Sequence, residues 1–214
     1  MTSVRSRVPD RVERLLVVLR SITSTILVIA LISVGVVVVG VQSGAIDLEP
    51  DPVTSGPENT TGVPEVEASN HTQIDGEALE MAIYEEVNER RRNAGREPLV
   101  HSERVRLIAR LHSKDMAERG FIDHTNPDGE GSAERHDNYD GCEDTNENIA
   151  HTPRIQNVSE RETAESVVDL WTDSPGHNSS MLTSYGKITG VGVYVTAEKN
   201  LYVTQNFCRE HPSA

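Results

Sequence analysis

The sequence predicts a mixed α+β domain that follows one hydrophobic segment near the N-terminus. Three stretches carry apolar residues at helical spacing, and two stretches rich in Val, Tyr and Thr follow them near the end of the chain. Helices first and strands last favour an α+β or layered sandwich fold over a doubly wound parallel sheet. The length of 214 residues fits one ordinary domain plus a tail or an anchor.

The three expected helices have recognisable starts and stops. The first spans about residues 75–93, with Asp75 as its N-cap, and the second spans residues 102–119, with Gly120 as its stop. The third spans residues 160–172 and is closed by a Ser-Pro-Gly sequence. We therefore expect three amphipathic helices, each with one face in the core.

The last third of the chain predicts a β-hairpin. Two strands are expected at residues 188–196 and 201–207, separated by a short turn. Between the second and third helices, residues 123–145 are dense in Gly, Asp and Asn, which indicates a loop. A loop of this length is uncommon in a compact domain, so it is a candidate for a functional segment.

Residues 21–41 form a stretch of 21 residues without a charge. At about 1.5 Å per residue a helix of this length spans the roughly 30 Å hydrocarbon core of a bilayer. Five arginines lie in residues 1–20, so the positive-inside rule places that segment in the cytoplasm and the rest of the chain outside the cell. The alternative is a signal peptide cleaved after Ala45, which would release a secreted protein, but the long apolar run favours an uncleaved anchor.

Residues 42–74 are expected to form a disordered extracellular stalk, and residues 75–214 the folded domain. The stalk has four prolines between residues 46 and 73 and few large apolar side chains, so it cannot bury enough surface to fold alone. An extracellular segment is accessible to N-glycosylation. Glycosylation sequons begin at Asn59, Asn70, Asn157 and Asn178.

The chain is strongly acidic, with 34 acidic and 20 basic residues and a formal net charge of −14. This charge repels phosphate backbones and argues against nucleic acid as a partner. The acidic, lysine-poor composition is similar to that of proteins from high-salt organisms such as a halophilic archaeon. An ordinary acidic secreted protein is the alternative interpretation.

The two cysteines, Cys142 and Cys208, lie in the part of the chain expected outside the cell. One disulfide between them is the simplest assignment in that oxidising environment. A thiolate metal site is less favoured, because neither cysteine lies in a CxxC pair or a short Cys/His cluster.

Three short signatures carry histidine or glutamate in polar or glycine-rich surroundings. They are FIDHTNP at residues 121–127, ENIA at residues 147–150 and WTDSPGH at residues 171–177. With NERR at residues 88–91, GVGV at 190–193 and YVTQNF at 202–207, they stand in the order seen in the CAP superfamily. The chain resembles this superfamily of cysteine-rich secretory, antigen 5 and pathogenesis-related 1 proteins, in its compact microbial form, over about residues 77–208.

The resemblance implies an α-β-α sandwich whose central cleft is lined by two histidines and one or two glutamates. His124, Glu147 and His177 stand at the matching positions of this sequence. Asn146 replaces the usual glycine before the glutamate, and Ser174 stands where many members have a further glutamate. The complete His-Glu-Glu-His tetrad is therefore not expected.

Two neutral imidazoles and a carboxylate in one cleft could hold a divalent metal such as Zn²⁺ and leave a position open for water. On this interpretation His124, His177 and Glu147 are the metal ligands. The alternative is a hydrogen-bonded network in which the carboxylate orients an imidazole without any metal. Both interpretations remain open from the sequence.

The favoured functional hypothesis is a binding module, because no nucleophile can be placed beside a base from the sequence. Its expected ligand is a lipid, another small apolar molecule, or a protein or polymer of the cell envelope. A metal-dependent hydrolase is the second hypothesis, with His124 and His177 as ligands and Glu147 as general base on a bound water. A structural glycoprotein of the cell envelope is the third.

Overall fold

The structure is a computed structural model that describes residues 58–69, 74–142, 145–155 and 159–209. The predicted cytoplasmic segment 1–20, the predicted anchor 21–41 and the cleavage site at Ala45 lie outside these residues. Within the described ranges, no helix is long and apolar enough to cross a bilayer.

The described residues form five helices and a four-stranded sheet. The helices are α1 (Gly76–Asn93), α2 (Glu103–Arg119), α3 (Ser132–Asn138), α4 (Glu160–Asp173) and α5 (Pro175–Met181). The strands are β1 (Val100–His101), β2 (Asn146–Thr152), β3 (Ile188–Val195) and β4 (Leu201–Cys208). The strand order is β1-β3-β4-β2, in which β1 pairs parallel to β3 and the other pairs are antiparallel. Strand β2 is therefore an edge strand.

The three predicted helices are confirmed as α1, α2 and α4, and the caps lie where the sequence places them. The side chain of Asp75 accepts a hydrogen bond from the backbone of Ala78, and that of Ser102 accepts one from Val105. Gly120 ends α2 in the left-handed region, at a φ of 71°, where a residue without a Cβ is favoured. Local sequence is sufficient to fix these helix ends.

The predicted hairpin is confirmed as β3 and β4, but the expected order of helices first and strands last is wrong. Strands β1 and β2 lie between the helices in sequence. The β2 sequence, NENIAHT, is polar and gives little strand signal on its own. All seven of its residues pair with β4, so tertiary pairing rather than local propensity makes this strand.

Residues 123–145 are not one continuous loop, because α3 lies within them. The backbone N–H of Gly131 donates to the carboxylate of Glu134 at 2.9 Å, which supports the first turn of the helix. Two side chains of α3, Arg135 and His136, are buried, with 6% and 1% exposure. Burial of these two side chains stabilises a helix that the Gly- and Asp-rich composition hides.

The sheet lies between α2 on one face and α1 with α4 on the other, which gives the expected α-β-α layers. Gly190 and Gly192 of β3 face α2, and a Cβ at either would lie 2.0–2.1 Å from backbone nitrogens of that helix. The alternate residues of β3 and β4 pack into the main core with α1 and α4. Glycine at these two positions therefore sets how closely α2 approaches the sheet.

Residues 58–69 pack on the domain, although they fall in the segment expected to be a disordered stalk. The carboxylate of Glu58 accepts hydrogen bonds from the Ser102 hydroxyl and from the first backbone N–H of α2, both at 2.7 Å. Val63 is buried against α2, and the carbonyl of Ala68 accepts from the backbone of β3. A few apolar side chains and one helix cap are enough to dock this polar segment.

Replacing Glu58 with alanine is expected to lower the free energy of unfolding by about 1 kcal/mol, because α2 loses a negatively charged cap at its N-terminus. Urea unfolding of the full chain followed by circular dichroism measures this difference. Glu65→Ala is the matched control, since Glu65 is exposed in the same segment. Equal stability of the two variants would contradict the docked arrangement.

The predicted disulfide is confirmed between Cys142 and Cys208, which are 66 residues apart in the sequence. It joins the segment after α3 to the last residue of β4. Closing a chain loop of this length stabilises a fold by about 4 kcal/mol in the chain-entropy treatment. The disulfide thus attaches the C-terminal end of the segment between α2 and Cys142 to the sheet.

Candidate functional site

Glu147, on the edge strand β2, lies at the centre of a cluster of charged side chains. Its Oε1 is 2.8 Å from Nδ1 of His124 and 4.0 Å from Nε2 of His112. Its Oε2 accepts a hydrogen bond from Arg135 at 2.7 Å. The Glu147 side chain is 3% exposed and that of His124 is 52% exposed, so the cluster runs from the interior to the surface.

His112 and His124 both lie near Oε1 of Glu147, and they come from helix α2 and from the loop that follows it. His112 lies on α2, and His124 lies just after the helix ends. The imidazole of His112 contacts the carbonyl of Asp123 at 3.0 Å through Nε2. Because a carbonyl oxygen only accepts, this nitrogen carries the proton and donates it. The bond fixes the start of the loop that presents His124.

Arg135, on α3, holds both His124 and Glu147. Its two terminal nitrogens donate to the carbonyl of His124, each at 3.1 Å, and one of them donates to the carboxylate of Glu147. The guanidinium also donates to the carbonyl of Glu130 at 2.9 Å. A planar guanidinium with several donors suits this bridging role.

The cluster keeps Glu147 ionised. Burial alone would raise the pKa of Glu147, but the hydrogen bond with His124 and the positive charge of Arg135 outweigh burial and lower it. The hydrogen bond with Glu147 in turn raises the pKa of His124. Because the carboxylate only accepts, Nδ1 of His124 carries the proton, and Nε2 has a free lone pair when the ring is neutral.

His177 lies on α5, which β2 and α4 hold in place. The side chain of Asn148 donates to the carbonyl of His177 at 3.0 Å, and that of Asn146 donates to the Ser180 hydroxyl at 2.9 Å. The indole N–H of Trp171, on α4, donates to the carbonyl of Ile149 on β2 at 3.0 Å. Asn146, at the position where the family usually has glycine, thus helps to join β2 to α5.

Burial lowers the pKa of His177, and the charge of His124 adds to this effect. The imidazole of His177 is therefore neutral at pH 7 and can act as a ligand through a lone pair.

The structure brings His124 and Glu147 into contact and places His177 on the adjoining helix. Among the described residues, one set of three His, Cys, Asp or Glu side chains has all its ligand atoms within 4.8 Å of one another, and it consists of His136 and the two cysteines. Those cysteines form the disulfide, so they are not the thiolates that bind metals. His124, Glu147 and His177 do not all lie within that distance.

Arg135 and His112 are the members of the cluster that sequence reasoning missed. His112 had a signal, because a histidine on the apolar face of α2 is buried when the helix packs on the sheet. Arg135 had none, because its helix lies in the segment interpreted as a loop.

The described residues form an α-β-α sandwich, and His124 contacts Glu147 on its edge strand. Both features are those that the resemblance to the CAP superfamily implies. Residues 84–207 match the CAP family, described as the cysteine-rich secretory protein family. The chain belongs to this family.

One relative is the uncharacterized protein YkwD from Bacillus subtilis (strain 168), which is 29% identical over 131 residues. The match covers 61% of this chain and 47% of that protein, so the chain spans about half the length of this relative.

Two solved structures have a similar fold. An outer surface protein from Borrelia burgdorferi has a TM-score of 0.55 and 22% identity, over 64% of this chain and 97% of that chain. An extracellular protein containing an SCP domain from Bacillus anthracis str. Ames has a TM-score of 0.53 and 25% identity, over 73% of this chain and 45% of that chain. These similarities confirm the predicted CAP fold of the described domain.

Proposed function

We propose that this chain presents a CAP domain on the outside of the cell, tethered by the predicted membrane segment at residues 21–41. Two relatives in fold support this location, one named as an outer surface protein and the other as an extracellular protein. The disulfide also suits an oxidising compartment. The domain acts by binding a ligand rather than by transforming one.

Within this proposal His124 and His177 hold a divalent cation such as Zn²⁺, and Glu147 orients His124. The observation that carries it is the 2.8 Å contact between Nδ1 of His124 and the buried carboxylate of Glu147. A carboxylate on one ring nitrogen is the usual support of a metal-bound histidine, because it fixes the tautomer that leaves the other nitrogen free. A bound cation supplies further coordination positions for a polar group of the ligand.

Glu147 suits the role of an orienting residue better than that of a ligand, the role first predicted for it. One oxygen contacts His124, the other accepts from Arg135, and the side chain is 3% exposed. The same observation disfavours the hydrolase hypothesis, because a general base must reach a water or a substrate proton. A lipid or another small apolar molecule, or a cell-envelope partner, stays the predicted ligand of the module.

Calorimetric titration of Zn²⁺ into the full chain in detergent micelles tests the metal site. Saturable binding is expected for the wild type and is expected to be lost in His124→Ala and in His177→Ala. His151→Ala is the matched control, since His151 lies on the same strand as Glu147 and its ring packs against that of Tyr202. Absence of binding by the wild type, or binding that survives in either site variant, would overturn the two-histidine site.

A further inference from the structure

His136, on α3, lies against the disulfide. Nδ1 of its imidazole is 3.4 Å from Sγ of Cys142. A ring nitrogen of His136 and the sulfurs of Cys142 and Cys208 all lie within 4.8 Å of one another. The three residues are buried, with 1%, 4% and 0% exposure. The two sulfurs are bonded to each other in the oxidised protein, so only reduction can turn this cluster into a set of metal ligands.

We propose that the reduced protein binds a thiophilic divalent cation such as Zn²⁺ through Cys142, Cys208 and His136. This site shares no ligand with the proposed two-histidine site, and it and the disulfide are alternative states of the same residues. A dithiol reductant breaks the bond between the cysteines, becomes a disulfide itself and leaves two protein thiols. Binding of the cation then releases one proton from each thiol.

The distance between His136 and Cys142 is close to that between two ligands of one zinc ion. Zn²⁺ lies about 2.3 Å from a thiolate sulfur and about 2.0–2.1 Å from an imidazole nitrogen, in tetrahedral geometry. Two such bonds place the nitrogen and the sulfur about 3.5 Å apart. The observed Nδ1–Sγ distance of 3.4 Å therefore needs little adjustment. The two sulfurs have to move apart to about 3.8 Å, which reduction allows because it breaks the bond between them.

The hydrogen bonding of His136 places the lone pair of the neutral ring on Nδ1, beside Cys142. The backbone N–H of Cys142 donates to Nδ1 at 3.1 Å, so the ring proton is on Nε2. Burial lowers the pKa of His136 to about 4, and the ring is therefore neutral at pH 7. A neutral imidazole is the form that binds a metal, and the cation would take the Nδ1 lone pair over from the N–H group.

The turn after α3 lets the imidazole approach Cys142 closely. The backbone N–H of Gly141 donates to the carbonyl of His136 at 2.8 Å, which closes the turn. A Cβ at Gly141 would lie 2.2 Å from Nδ1 of His136. Glycine at this position therefore leaves the space that the ring occupies beside the sulfur.

The surroundings of the two cysteines suit a cation held by thiolates. Val105 and Ile188 pack against the cysteines. Two thiolates, a neutral imidazole and Zn²⁺ together carry no net charge, so burial among apolar side chains does not leave an uncompensated ion. Thiolate and imidazole ligands favour Zn²⁺ over Mg²⁺ and Ca²⁺, which prefer oxygen. The fourth tetrahedral position is left for water or another small ligand.

Titration of Co²⁺ into the reduced full chain tests the proposal, because thiolate-bound cobalt shows a sulfur-to-metal charge-transfer band that cobalt bound by histidines and carboxylates lacks. The chain is held in detergent micelles and reduced with a phosphine, which is then removed by gel filtration without oxygen. We expect the band in the reduced chain, no band in the oxidised chain, and loss of the band when Zn²⁺ is added.

Circular dichroism of the same samples shows whether the cobalt-bound chain is folded, and a folded spectrum is expected. Absence of the band in the reduced wild type would overturn the proposal. A band in a chain whose spectrum is that of an unfolded protein would overturn it as well, because the site is defined by the packing of α3 against the cysteines.

His136→Asn tests the nitrogen ligand, because the asparagine oxygen can keep the hydrogen bond from the backbone of Cys142 while the imidazole is lost. We expect the Co²⁺ affinity of the reduced chain to fall by at least about tenfold, since loss of a residue that merely supports a ligand already costs this much. His151→Asn is the matched control, because the ring of His151 packs against Tyr202. Wild-type affinity in His136→Asn, or an equal loss in His151→Asn, would reject the site.

Discussion

Replacing Arg135 with glutamine is expected to lower the free energy of unfolding by about 3–5 kcal/mol and to weaken Zn²⁺ binding by about 10–100-fold. Glu147 is almost fully buried, and the variant removes the arginine that is paired with its negative charge. Removal of one member of a buried pair costs far more than removal of an exposed one. Loss of the donors to the carbonyl of His124 also frees that imidazole to move.

Arg135→Lys distinguishes the effect of the positive charge from that of the hydrogen bonds. Lysine keeps the charge, but it lacks the planar guanidinium that donates to both Glu147 and the carbonyl of His124. We expect it to recover part of the stability and less of the Zn²⁺ affinity. The matched control is Arg161→Gln, which removes an arginine whose side chain is 82% exposed. Urea unfolding and calorimetry on the same samples give both quantities, and a wild-type result for Arg135→Gln in both would refute this role.

Lowering the pH from 7 to 4 is expected to lower the free energy of unfolding by about 3 kcal/mol through the protonation of His136 alone. Burial lowers the pKa of His136 from its ordinary value of 6.5 to about 4. Between these two values the unfolded chain binds a proton that the folded protein does not, so stability falls as the pH falls. The loss begins near pH 6.5 and levels off below about pH 4, where the folded protein is protonated as well.

His136→Asn tests this titration, because the asparagine oxygen can take over the hydrogen bond that Nδ1 of His136 accepts from the backbone of Cys142 at 3.1 Å. Urea unfolding at pH 7, 6, 5 and 4 gives the stability of both proteins at each pH. The difference between wild type and variant is expected to change by about 3 kcal/mol over this range. Parallel pH curves would show that the buried imidazole does not titrate in this way.

The sequence predicts those parts of the fold whose signals are local. The N-caps at Asp75 and Ser102, the left-handed Gly120 and the Val-rich hairpin are each specified by a few neighbouring residues. Strand β2 and helix α3 were missed because pairing with β4 and the burial of Arg135 stabilise them, and neither is visible in composition.

In the candidate site too, some residues can be predicted from short sequence signatures and others cannot. His124 and Glu147 stand in short signatures, so the resemblance to the family predicts their meeting, and the structure shows it. Arg135 joins them only through the packing of α3, which no local pattern records. The distance between His177 and the other two depends on how α5 lies against β2, which spacing in the sequence cannot supply.

The bond between Cys142 and Cys208 gives the domain an order of assembly as well as stability. Thiols stay reduced in the cytosol and pair in oxidising surroundings. In the proposed extracellular location, the segment carrying His124 and Arg135 is therefore joined at its end to the last strand only after the chain has left the cytosol. The proposal then implies that the site is completed outside the cell.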